Sequence, residues 1–240
     1  MKRALEICVD SVESAFAAQK GGADRIELCA YLNEGGVTPS CGTIKFIADK
    51  LKIPVNVLVR PRPGNFYYSD EEFEIIKCDI ELIKKLNANG IVVGILNDDN
   101  TIDVERMREL IDCAQPMEVT FNRAFDLVPD PIEALNILIE LAVDRILTSG
   151  QKSKAEEGID LIEDLVEAAK DQLIIMPGGG VNADNIKTIL IKTSAKEIHS
   201  SASDNIIDWS GEEFFGNTTR RITCVNKVKT MKMIVDRISK

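Results

Sequence analysis

Eight short apolar runs recur along the chain, and segments with helical spacing lie between them. The runs are ALEICVD (4–10), RIELCA (25–30), VNVLVRPR (55–62), GIVVGIL (90–96), EVTFNRAF (118–125), RILTSG (145–150), LIIMPGGG (173–180) and EIHSSAS (197–203). Apolar periodicity predicts helices over 11–20, 38–51, 70–87, 103–114, 131–141, 153–170 and 182–193. Eight strands alternating with helices predict an α/β chain folded as a (β/α)8 TIM barrel. A doubly wound open sheet is the rival, but it usually has fewer strands, and here they are spaced evenly to the end. A weak internal repeat supports the barrel. GGADRIEL (21–28), NANGIVVG (87–94) and LAVDRILT (141–148) each end a helix and enter a strand in the same way. A single domain over 1–240 follows, in which 206–240 is a C-terminal extension. Its irregular part, DWSGEEFFGNTTRR, folds over the barrel mouth or serves an oligomer contact, and VNKVKTMKMIVDRI reads as a closing helix.

Charge and cysteine usage narrow the function classes. The formal net charge is −10, with no compensating basic block. Nucleic acid and anionic membranes need clustered Lys and Arg, so neither is an expected partner. No stretch approaches the roughly 18 apolar residues of a membrane span, and the first residues lack a leader pattern, so a cytoplasmic protein is expected. The six cysteines are dispersed, without a C-x-x-C pair, which argues against a zinc ribbon. His199 is the one histidine, so any catalytic histidine must be this residue.

Side chains alternate faces along a strand. Leu5, Ile7 and Val9 share one face of the first strand, and Glu6, Cys8 and Asp10 the other. The second strand sets Ile26 and Leu28 against Glu27 and Cys29. The apolar set must face the helices, which turns a matched E-x-C on neighbouring strands into the barrel. Two thiolates in a reducing compartment suit a soft monovalent ion such as Cu(I); the same pair also serves as ordinary packing. Arg60 and Arg62, two apart on the third strand, are placed to neutralise Glu27. Either the charges form a buried ion-pair network, or the carboxylates act as acid and base while arginines hold an anion. Arg123 and Asp126 end the fifth strand, where the fold puts its active face, as catalytic candidates or as a local pair that fixes a loop.

MPGGGVNADNI (176–186) puts Gly178, Gly179 and Gly180 between a strand and a helix. Such glycines let backbone N–H groups approach an anion, or simply permit a tight turn. Ser200, beside His199 on the eighth strand, adds a hydroxyl, and Ser149 and Gly150 add donors to the same rim or cap the following helix.

Taken together, EICVDSVESAFAAQKGGADRIELC, EGGVTPS, VRPRPGNFYYSD, VTFNRAFD, ILTSGQKS, MPGGGV and HSSA resemble the CutC family, in order, from residue 4 to about 203. The resemblance implies a (β/α)8 barrel, a cytosolic protein with a role in copper homeostasis, often a homo-oligomer, and Cys8 and Cys29 as Cu(I) ligands. The family's charged barrel residues fall on Glu6, Glu27, Arg60, Arg62, Arg123 and Asp126. One departure stands out: Asn122 occupies the place of the histidine in the family's V-T-F-H-R-A-F-D. If that histidine is a ligand or a proton shuttle, this chain has lost it or moved the task to His199. The other expectation is a barrel enzyme acting on a small anionic or sugar-like substrate held by the loops after strands seven and eight.

Overall fold

The computed structural model describes residues 2–208 and 218–239. Eight parallel strands follow the apolar runs: β1 (Ala4–Val9), β2 (Arg25–Leu28), β3 (Val55–Leu58), β4 (Gly90–Val93), β5 (Glu118–Phe121), β6 (Arg145–Thr148), β7 (Ile174–Pro177) and β8 (Glu197–Ser200). Seven helices connect them: α1 (Val12–Gly21), α2 (Cys41–Lys50), α3 (Asp70–Lys85), α4 (Val104–Ala114), α5 (Pro131–Glu140), α6 (Ile159–Ala169) and α7 (Ile186–Thr193). The ladder runs from β7 through β6, β5, β4, β3, β2 and β1 to β8. Its two ends, β7 and β8, lie against each other and nearly close the cylinder.

Alternation decides which side chains go where. Leu5, Ile7, Val9, Ile26, Leu28, Val55, Val57, Ile91, Val93, Val119 and Phe121 join the helices in one continuous apolar layer outside the strands. Burying such a side chain contributes roughly 1.5–3 kcal/mol. The other face, with Glu6, Cys8, Glu27 and Cys29, looks inward, as the sequence requires. Cys8 and Cys29 there form a small separate cluster with Leu58 and Val92.

The repeat seen in the sequence has a physical meaning. Helices α1, α3 and α5 are each followed by a residue in the left-handed region: Gly22, Asn87 and Ala142, at φ 92°, 62° and 56°. Two residues on stand Asp24, Asn89 and Asp144. Each clasps the neighbouring strand twice, donating its backbone N–H to Leu5, Val55 or Val119 and accepting the N–H of that same residue on its side chain at 2.7–2.8 Å. The turn thus registers each new strand against an older one before the inward residues are placed.

The expected helices over 38–51, 153–170 and 182–193 all begin later, at Cys41, Ile159 and Ile186, and the tail also differs from expectation. Helix α6 starts at Ile159 rather than near 153, because Gly150 and Gly158 pack backbone to backbone: a Cβ on Gly150 would lie 2.3 Å from the Gly158 carbonyl oxygen. The tail is less irregular than its polar sequence suggests. Antiparallel β9 (Ser203–Asp208) and β10 (Thr218–Thr223) form a hairpin arm, tied down where Thr223 N–H meets Ser14 Oγ at 3.1 Å; the middle of DWSGEEFFGNTTRR lies outside the described residues. The expected closing helix is α8 (Val225–Ile238), docked on α1 so closely that a Cβ on Gly21 would meet Val228 at 2.4 Å. Among the described residues, no helix is long and apolar enough to cross a membrane.

Candidate functional site

The barrel interior is stacked in two storeys. The lower one lies at the N-terminal ends of the strands. Arg25 opens β2 and bonds both Glu6 on β1 and Glu197 on β8. Arg145 opens β6 and reaches Glu197 at 3.2 Å, Glu118 at 3.0 Å and the Thr120 hydroxyl at 3.2 Å. Burial alone would raise the Glu6 carboxyl, but Arg25 and His199 outweigh it and hold the group well below the usual carboxylate range. Burial would likewise lower Arg25, and its two carboxylate partners reverse that.

His199 forms the seam between the storeys. Its Nδ1 lies 2.8 Å from Glu6 Oε1, and its Nε2 lies 3.5 Å from Glu27 Oε2. Burial opposes a charge on the ring, yet the bond to Glu6 and the charges of Glu27 and Glu6 raise its basicity above the ordinary histidine value. Glu27 is pushed up, chiefly by burial and against the pull of His199. With Glu6 ionised, Nδ1–H donates to it, which fixes the ring and turns Nε2 upward, the arrangement typical of a metal-ligating imidazole.

The upper storey begins at the thiols. Cys8 and Cys29 are buried, with their Sγ atoms 3.8 Å apart. Hydrogen bonding to Cys29, then burial, then the charges of Cys29, Glu27 and Glu6 raise the Cys8 thiol well above its ordinary value. Cys8, Glu27 and His199 also offer ligand atoms that all lie within 4.8 Å of one another. These groups line a cavity of about 330 Å³ that opens at the C-terminal mouth of the barrel, with Arg60, Phe66, Arg123, Gly179, Gly180, Ser201 and Arg221 higher on its wall.

A match to the CutC family covers residues 3–204. The chain belongs to the CutC family. It is 44% identical to a copper homeostasis protein cutC homolog of Homo sapiens, over 98% of this chain and 89% of that one. A CutC family protein of Parabacteroides distasonis is 52% identical over 84% of each chain. A crystal structure of CutC from Streptococcus agalactiae superposes with a TM-score of 0.80 at 36% identity, covering 83% of this chain and 98% of that one.

In this CutC barrel, the anticipated residues fall into three groups. Cys8, Glu27, Cys29 and His199 come together at the bottom of the cavity with Glu6 beneath them on His199, and Arg60, Arg123, Gly179, Gly180 and Ser200 reach its wall. Others stand behind the wall. Asp126 accepts from Arg123 Nε, the Thr148 and Ser149 hydroxyls and the Ser149 and Gln151 N–H groups, so it fixes the loop. Gly178 spends its N–H on the Thr148 carbonyl, and Gly150 serves the close approach to Gly158. Ser200 Oγ donates to the Val181 carbonyl at 2.6 Å and joins the two rim loops. Arg62 points away, paired with Glu72 at 2.5 Å. The expectation that Arg60 or Arg62 neutralises Glu27 is therefore corrected: the basic group facing Glu27 is His199, whose Nε2 lies 3.5 Å away. Strand β3 ends at Leu58, and past Val59 the R-P-R-P run no longer alternates faces.

Asn122, at the family histidine position, lines the cavity while its Oδ1 accepts the Ala124 N–H at 2.9 Å. It has become a turn cap, which leaves His199 as the only imidazole available to this CutC site. Sequence reading passed over Arg25, Arg145, Glu197 and Arg221. The first two carried a signal: ADRI and VDRI put an arginine at the same place in the repeat, on the face of Glu27 and Leu147.

Proposed function

We propose that this CutC barrel serves copper homeostasis by holding one Cu(I) between Cys8 and Cys29. The observation that carries the reading is the thiol pair itself, buried at the bottom of an open cavity with its sulfurs 3.8 Å apart. Metal–thiolate bonds are about 2.3 Å long, so one ion reaches both sulfurs with neither side chain displaced. Soft thiolates in a shielded site select a soft monovalent ion. The carboxylate–imidazole pair beneath, Glu6 with His199, has the form of the outer support that orients a metal ligand. Ligation requires the thiols to shed their protons, so copper affinity falls as the solution becomes more acid. A reducing cytosol keeps the thiols available, and an oligomer of identical chains is part of the same reading.

Anaerobic titration of the reduced protein with Cu(I), in competition with a colorimetric chelator, tests this. One equivalent is expected to bind, and the Cys8→Ser/Cys29→Ser variant is expected to bind at least 100-fold more weakly. A double variant that binds as tightly as the parent sinks the reading. The cavity is also far larger than one ion needs, at about 330 Å³, which favours a second ligand above the metal.

A further inference from the structure

Cationic side chains in the lower storey all sit against carboxylates. Arg60 does not. It is 6% exposed, and its Nη atoms donate only to the backbone carbonyls of Gly36 at 3.0 Å, Gly64 at 2.5 Å and Glu34 at 3.5 Å. Its Nε and the nearby Tyr68 hydroxyl are both buried without a hydrogen-bond partner among the described residues. The guanidinium is stacked on the Phe66 ring at 4.8 Å. Charges are rarely buried unless an opposite charge meets them, so a buried guanidinium that borders a cavity and meets no carboxylate among the described residues points to an anion supplied from outside.

Three further features converge on the same opening. Arg221, from β10 of the hairpin arm, reaches the wall, and among the described residues its guanidinium bonds only the Ser201 and Ser203 hydroxyls, at 3.0–3.2 Å. Arg123 adds a third positive charge, shared with Asp126. Gly179 and Gly180, at φ 98° and 71°, line the opening, and their backbone N–H groups have no partner among the described residues. A chain of net charge −10 thus presents a positive mouth, which focuses anions there.

We propose that the upper part of the cavity is an oxyanion site, built by Arg60 and Arg221 with the Gly179–Gly180 amides, that seats the carboxylate or phosphate group of a small molecule directly over the Cys8–Cys29 pair. The proposal rests on the copper reading for the meaning of that position: copper enters or leaves as the complex of a small anionic ligand. The oxyanion site itself stands on its own residues. Guanidinium forks and paired amides suit planar carboxylates and phosphates alike, so the shared chemistry is the oxyanion.

Calorimetric titration of the metal-free, reduced protein with inorganic phosphate and, separately, with succinate tests it. Saturable binding of either probe is expected, and the preferred probe names the ligand class. Arg221→Gln, on the surface arm and thus without risk to the barrel, is expected to weaken binding about tenfold. Arg60→Met is expected to weaken it at least as much, with its folding checked by circular dichroism, while Arg62→Ala binds like the parent. Absence of saturable binding by both probes up to about 50 mM, more than tenfold above a millimolar dissociation constant, overturns the proposal. So does parental affinity in Arg221→Gln. The two readings fail separately: Cys8→Ser/Cys29→Ser is expected to keep the anion and lose Cu(I), and Arg221→Gln to keep Cu(I) and bind the anion about tenfold more weakly.

Discussion

In the lower half of the barrel, Arg25 and Arg145 are enclosed by Glu6, Glu197 and Glu118, and each guanidinium touches at least two carboxylates. In the upper half, Arg60 and Arg221 touch no carboxylate among the described residues, and two thiols share a bare contact beside an open volume. Both halves hold charge inside a cylinder of parallel strands. The lower half satisfies its charges internally and leaves nothing for a visitor. The upper half leaves donors and soft ligands unspent. Pairing, rather than the presence of charge, separates the part that holds the barrel together from the part that binds.

The most forceful way to break this contrast is Arg25→Met, which takes the shared cation from buried Glu6 and Glu197 and leaves them His199 and Arg145 alone. Losing one partner of a buried pair costs about 3–5 kcal/mol, equivalent to a fall on the order of 10 °C in melting temperature. Thermal denaturation measures it, and a loss below about 1 kcal/mol would mean that the lower network is not structural. Next comes the double substitution of Cys8 and Cys29 by serine. Stability is expected to fall by about 1–2 kcal/mol, because small buried groups become more polar, while Cu(I) binding is lost. A larger stability loss without a binding loss would assign the thiols to packing.

A third prediction probes the seam. His199 is more basic in the folded protein than in the unfolded chain, so its contribution is complete below the ordinary histidine value near 6.5 and fades as pH rises through the higher folded value. Glu6 has the opposite sign: its contribution is present above the ordinary carboxylate range and is lost only in strong acid. Urea denaturation between pH 5 and pH 9 is therefore expected to show stability declining on the alkaline side, with His199→Gln flattening that decline. An unchanged slope in the variant would remove His199 from the account. The smallest effect belongs to Arg62→Ala. Its pair with Glu72 is partly exposed and contributes less than about 1 kcal/mol, so stability, anion binding and Cu(I) binding should all stay near parental values. A marked loss of either ligand would return Arg62 to the site.

The barrel was legible because its eight strands carry the apolar face needed under a ring of helices, and because the turn entering β2, β4 and β6 repeats its chemistry. The inward set at Glu6, Cys8, Glu27 and Cys29 followed from alternation alone. Arg25 shares that face by the same rule, yet it reads as a flanking residue, since its partner Glu197 lies at the far end of the chain. Pairing between the first and last strands of a cylinder leaves no local trace. The distinction between Arg60 and Arg62 was hidden for another reason: alternation ends where the strand ends, and nothing in the R-P-R-P run marks that β3 stops at Leu58. The β9–β10 arm was illegible because its strands lie against the mouth rather than in a core, so no apolar period marks them.

The arm has one more implication. Residues matching the family end at 204, whereas Arg221 arrives from beyond that point. The thiol floor and most of the doorway above it, Arg60 and Gly179–Gly180, are therefore encoded in the shared stretch, while the Arg221 side of the doorway comes from a separate one. Two relatives identical throughout the cylinder can still admit different visitors, and grafting a foreign arm onto this scaffold would retune admission while the metal grip stayed as it is.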